Sequence, residues 1–230
     1  MTRPSGPAPD AVEAHGGDMA DVLALPGTPL AREVLAFVAN NSSAVVLNHS
    51  VRSYLFGRLL AARHGVELGR DVSGELLFYS CVLHDMGLTE LGNRNQRFEV
   101  DGADVAAEFL TGKGLGAAEV DAVWEAIALH TSFGIAGRRA GLTMMTHGGI
   151  GLDFGVGSEF LTDEQGAAIH RAYPRLEMAK SLADLITAQV EARPEKGPPY
   201  SFPADLARQR ATPPHHTEME AMAAHGRWGS

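Results

Sequence analysis

Residues 72–87 read VSGELLFYSCVLHDMG. Leu76, Leu77, Tyr79, Val82 and Leu83 recur at helical rather than alternating spacing, which predicts a helix from about Val72 to Met86, stopped at Gly87. Its last turn carries the adjacent pair His84-Asp85. Neighbours on a helix point about 100° apart and do not normally serve one site. Just before a helix stop, however, both side chains can lean toward one point in a cleft. A carboxylate among Val82, Leu83 and Met86 would be strongly destabilising unless something positive sat beside it. An imidazole nitrogen and a carboxylate oxygen together ligate zinc, iron or manganese.

Outward from this segment the period stays helical. Thr28-Pro29 is an N-cap and first-turn pair opening a helix with Leu30, Val34, Leu35 and Val38 on one stripe. A second helix is expected from Ser42 or Ser43 to about His64, before Gly65. Further helices are expected over Val100–Leu110, over Ala117–Thr131 and after Gly141, then from the cap Thr162 to Tyr173 and along a last stripe from Leu176 to Gln189. Strand-like alternation and fixed-period repeats are absent, so the expected fold is an all-α helical bundle around a metal site. Residues 1–17 and 211–230 are rich in Pro, Gly, Ala and polar residues, and are expected as flexible tails around one domain at 18–210.

The chain has 230 residues, a length suited to one domain with its own core. Its formal net charge is −9, from 28 acidic and 19 basic residues, and the arginines are scattered rather than clustered. Phosphate neutralisation needs a basic face, so no nucleic acid partner is expected. No apolar stretch approaches a membrane span, and the first twenty residues lack a signal-peptide pattern. The one cysteine, Cys81, lies in an apolar run. A cytoplasmic protein with no membrane partner is the expectation. The stripe on the 175–192 helix offers a candidate homodimer surface.

Two further segments complete the chemistry: NHSVR at 48–52 and HGGIGLDFG at 147–155. His49 and Asp153 would join His84 and Asp85 in a two-His, two-carboxylate set that leaves room for water. Alone, each is ambiguous. His49 reads equally as a satisfied core histidine, and Asp153 as a helix-terminating residue. Lys113, between two glycines, lacks the spacing of a phosphate loop.

The order His…His-Asp…Asp resembles the HD superfamily of metal-dependent hydrolases, and within it the cyanamide-hydratase-like proteins. The matching pieces are LPGTPLAREV at 25–34, NHSVRSYLFG at 48–57, LHDMGLT at 83–89, RFEVDGADVAAEFL at 97–110, WEAIALHTSFGIA at 124–136 and GIGLDFG at 149–155. The resemblance implies metal ligation by His49, His84, Asp85 and Asp153, and places Asn48, Arg52, Glu99 and His130 near the site. Arg52 shares a helix face with His49, where an ion pair with Asp85 or Glu99 competes with substrate contact. Glu99 also reads as a first-turn acid of its helix. His130 is favoured as an active-site residue, and it or Glu99 would deliver the proton.

One divalent metal is implied, zinc before iron or manganese. If His130 and His147 also bound, Asp85 could bridge two metals. The implied reaction is attack of metal-activated water on a small nitrile-type substrate, such as cyanamide giving urea. Phe98, Phe133 and Phe154 are candidate pocket walls. A phosphohydrolase acting on a nucleotide or phosphomonoester, with Arg52 and Arg97 holding phosphate, is the alternative. A dinuclear iron oxygenase and a non-catalytic metal-stabilised module are the others.

Overall fold

The structure, a computed structural model, describes residues 19–139 and 141–229, so the expected tail at 1–17 lies outside the described residues. The helices are α1 (Met19–Val22), α2 (Pro29–Asn41), α3 (Ala44–Arg63), α4 (Gly74–Leu83), α5 (Phe98–Gly112), α6 (Ala117–Ala128), α7 (Leu142–Asp153), α8 (Asp163–Ala172), α9 (Met178–Ala192), α10 (Phe202–Ala211) and α11 (Glu218–His225). Among the described residues there is no strand, only an isolated bridge between Leu68 and Val72. The all-α expectation is met. None of these helices is long and apolar enough to cross a membrane.

Local sequence explains the starts. The hydroxyls of Thr28, Ser43 and Ser73 each accept a backbone N–H three residues on, opening α2, α3 and α4. Thr162 and Gln165 form a reciprocal capping box at α8. The main core is built where α3 to α7 meet, from residues such as Leu55, Phe56, Phe78, Leu83, Leu110 and Met145. Two close approaches set the site. A Cβ on Gly149 of α7 would stand 2.3 Å from the Ser53 carbonyl oxygen of α3, so α7 lies directly on the helix that carries His49. A Cβ on Gly87 would meet the Phe98 carbonyl oxygen at 1.9 Å, so the turn after His84-Asp85 rests on the start of α5.

Helix α4 stops at Leu83, short of the expected Met86. His84 is its C-cap, Asp85 has φ −98° and ψ 13°, and a 3-10 turn follows at Met86–Leu88. Termination three residues early turns adjacent side chains into one cleft.

The C-terminal region departs most from expectation. Thr217 and Glu220 form a capping box, and α11 buries Met219 and Ala223. Trp228 stacks on Phe56, with ring centroids 5.8 Å apart, and its Nε1–H donates to Leu152 O at 2.7 Å. Residues 217–228 are therefore packed structure, where a flexible tail was expected. The apolar stripe on α9, expected as a dimer surface, is covered within the chain: Met178, Leu182 and Ile186 form a second core with Leu206 of α10 and Met219 of α11.

Candidate metal centre

His49 projects from the second turn of α3 and meets the His84-Asp85 turn. Their Nε2 atoms lie 3.2 Å apart, and Asp85 Oδ2 lies 3.2 Å from His84 Nε2 and 3.8 Å from His49 Nε2. All three residues are buried, and Asp85 Oδ2 makes no hydrogen bond. An unpaired buried carboxylate oxygen is strongly unfavourable. Among the described residues these are the ones that converge as a metal-binding group.

The imidazoles are held by their far nitrogens. Nδ1–H donates to Cys81 O from His84, to Ile127 O from His130 and to His130 O from His147, each at 2.7 Å. A carbonyl only accepts, so in the neutral imidazole the tautomer is fixed and each Nε2 is left with a lone pair. His49 Nδ1–H donates to Asp153 Oδ2 at 2.7 Å, the carboxylate–histidine arrangement that orients metal-binding imidazoles. Two lone pairs facing each other at 3.2 Å, with an orphaned carboxylate oxygen beside them, call for a cation. A metal about 2.0–2.1 Å from each nitrogen in a tetrahedral shell separates them by about 3.3 Å. The donor set therefore fits a divalent metal.

Asp153, expected as a fourth ligand, stands behind His49. Arg52 grips it with two bonds of 2.8 Å, and Arg175 reaches its carbonyl oxygen at 2.7 Å and Oδ1 at 3.2 Å. Both carboxylate oxygens are thus committed to orienting groups. Arg52 is fully buried, its remaining donors satisfied by the carbonyls of Tyr173 and Pro174. It pairs with Asp153, not with Asp85 or Glu99, and is absent from the cavity walls. Asn48 also donates to Pro174 O, at 2.9 Å, away from the ligands.

Charge follows geometry. Burial opposes ionisation of Asp85, but His84 and His49 hold its carboxyl well below the usual range. Burial likewise opposes ionisation of Asp153, and Arg52 with the two neighbouring histidines overcomes it. His84 is raised, because Asp85 outweighs the burial that would lower it. His49 is lowered by burial despite Asp153. Burial, then His84, pushes His130 down to about 4. At neutral pH His130 is therefore an uncharged imidazole with a lone pair on Nε2.

These groups floor a cavity of about 1070 Å³. His130 and His147 line it, as do Phe98, Phe133 and Phe154, the expected walls. His84 and His130 rings meet edge to face at 4.9 Å. Glu99 is fully buried beneath the lining, bound by Arg97 at 2.5 and 3.0 Å and by Thr131 Oγ1–H at 2.5 Å. It touches the cavity only through Arg97 and Thr131, which line it. The opposite wall comes from Phe202, Leu206, Met219 and Met222, which the sequence reading left outside the site. Arg175 was missed as well: a single arginine after Pro174 in a loop gives no periodic signal.

The HD domain family pattern matches residues 46–190, which include His49, His84 and Asp85. Two proteins of Saccharomyces cerevisiae, cyanamide hydratase DDI2 and cyanamide hydratase DDI3, are each 27% identical over 177 residues, covering 75% of this chain and 78% of theirs. With His84-Asp85 set against His49 inside that match, the chain belongs to the HD domain family.

Proposed function

We propose that this chain is a metal-dependent hydratase that adds water across a nitrile-type carbon–nitrogen triple bond. The observation that carries the reading is the unpaired Asp85 Oδ2, facing two histidine lone pairs at the floor of a large cavity. Similarity to cyanamide hydratases supports the substrate type. His49, His84 and Asp85 would hold one divalent ion, zinc in this reading. When bound, that ion supplies Lewis acidity and makes water nucleophilic near neutral pH. His130 Nε2 accepts the proton released by the attacking water and returns it to the substrate nitrogen. Asp153 and Arg52 keep His49 turned toward the ligand group. The apolar walls exclude bulk water.

Phosphate ester cleavage is poorly served. Arg52 is committed to Asp153, and Arg97 is neutralised by Glu99, so neither offers a free charge beside the ligands. The test is metal content by mass spectrometry with a urea assay on cyanamide. About one zinc per chain with urea formation is expected. Two irons per chain, or a phosphomonoester cleaved without urea formation, would sink the proposal.

A further inference from the structure

Cyanamide has three non-hydrogen atoms and needs on the order of 100 Å³. The cavity offers about 1070 Å³, at the upper end of pockets that enclose drug-sized ligands. Beyond the ligand group much of its wall is apolar, from Leu88, Phe98, Phe154, Leu182, Phe202 and Met219. Its charged lining residues beyond the ligand group are Arg97, paired with Glu99, then Glu218, and Asp205 with Arg208, which pair with each other at 2.5 Å. The apolar character continues outward. Phe133, Ile135, Val156, Tyr200 and Met222 line the cavity and are also exposed, Phe133 at 68%. Isolated exposed apolar residues need no explanation, but a group gathered on one cavity marks a binding surface. Tyr200 adds a backbone observation: a non-glycine residue at φ 65° holding a fully exposed ring beside this cavity.

Resting on the hydratase reading above, we infer that the substrate is a cyanamide or nitrile carrying an extended uncharged apolar group, with the triple bond at the floor and the apolar group along the walls. For an N-alkylcyanamide, the water oxygen forms a bond to the cyano carbon. The carbon–nitrogen π electrons move to the terminal nitrogen, which takes the protons from water, and the product is the N-alkylurea. No oxidant or reductant is required.

The test is a series of cyanamide and N-methyl-, N-butyl- and N-hexylcyanamide with the zinc-loaded protein, together with calorimetric binding of the matching ureas. Apolar burial predicts a rise in kcat/KM of about fourfold per methylene until the wall is reached. The same trend is expected in urea affinity, about 10³-fold between methyl and hexyl if every methylene is buried. Phe133→Ser, an exposed position, should cut the hexyl-over-methyl preference several-fold. Hydration of cyanamide with no gain for longer chains, in rate or in binding, overturns the apolar substrate and leaves the hydratase reading standing. Tight hexylurea binding with no compound hydrated keeps the apolar ligand and removes the hydratase reading.

Discussion

The two sides of the cavity are built on different principles. The floor, from α3, the His84-Asp85 turn and His130, is polar, and each of its imidazoles is oriented by a second hydrogen bond on its far nitrogen. The C-terminal wall, from Phe202, Leu206, Met219 and Met222, is apolar and is held by packing over α9. Directional bonds fix atoms to within tenths of an ångström, which metal ligation needs. Packing fixes only volume, which is enough to select a substrate by shape. The floor should therefore respond sharply to small changes, and the wall gradually.

The sharpest test of that contrast lies at the floor. His84→Ala or Asp85→Ala removes one of three ligands and should bring activity to background with loss of bound metal, read by mass spectrometry beside a circular dichroism check of folding. A variant that keeps both metal and activity would end the assignment. Next is the support behind His49. Arg52→Met removes two of the three arginine bonds to the buried Asp153 carboxylate and leaves the 3.2 Å contact from Arg175, and breaking such a pair typically costs about 3–5 kcal/mol in urea unfolding. Asp153→Asn should weaken metal affinity or activity about 10–100-fold while the three ligands remain.

The wall should behave otherwise. Met219→Ala should cost about 2–3 kcal/mol of stability and change substrate preference, with metal content unaltered. Metal loss in that variant would mean that the wall also positions the ligands, and the contrast would fail.

The same contrast governs what could be read from sequence. The all-α class, the caps at Thr28 and Thr162, and the convergence of His49 on His84-Asp85 were legible because helical period, cap chemistry and a misplaced carboxylate are local signals. The position of Asp153 was legible, but its role was not. Whether a carboxylate faces a metal or the back of an imidazole depends on Arg175, which is brought to it from across a loop. The proton state of His130 likewise depends on burial and on His84, which no spacing reveals. Residues 211–230 misled because Pro, Gly, Ala and polar residues together dominate their composition. What they pack against is set elsewhere in the chain: Met219 on the Met178, Leu182 and Ile186 face of α9, and Trp228 on Phe56 of α3.

The smallest expected effect separates the two facing histidines. Without metal, Asp85 holds the His84 pKa above its ordinary value of 6.5, whereas burial holds His49 below it. Between those two values the metal-free site carries one proton, on His84. Metal must displace that proton, so affinity should rise with pH and then level off once pH passes the His84 value. The carboxylates add no slope there, because Asp85 and Asp153 are both held well below the usual range. Zinc competition against a chromophoric chelator should thus show about a tenfold gain per pH unit below the His84 value. A hundredfold gain per unit across neutral pH would mean that His49 titrates there too. Asp153 would then fail to keep a neutral imidazole turned toward the ligand group, and the directional account of the floor would lose its anchor.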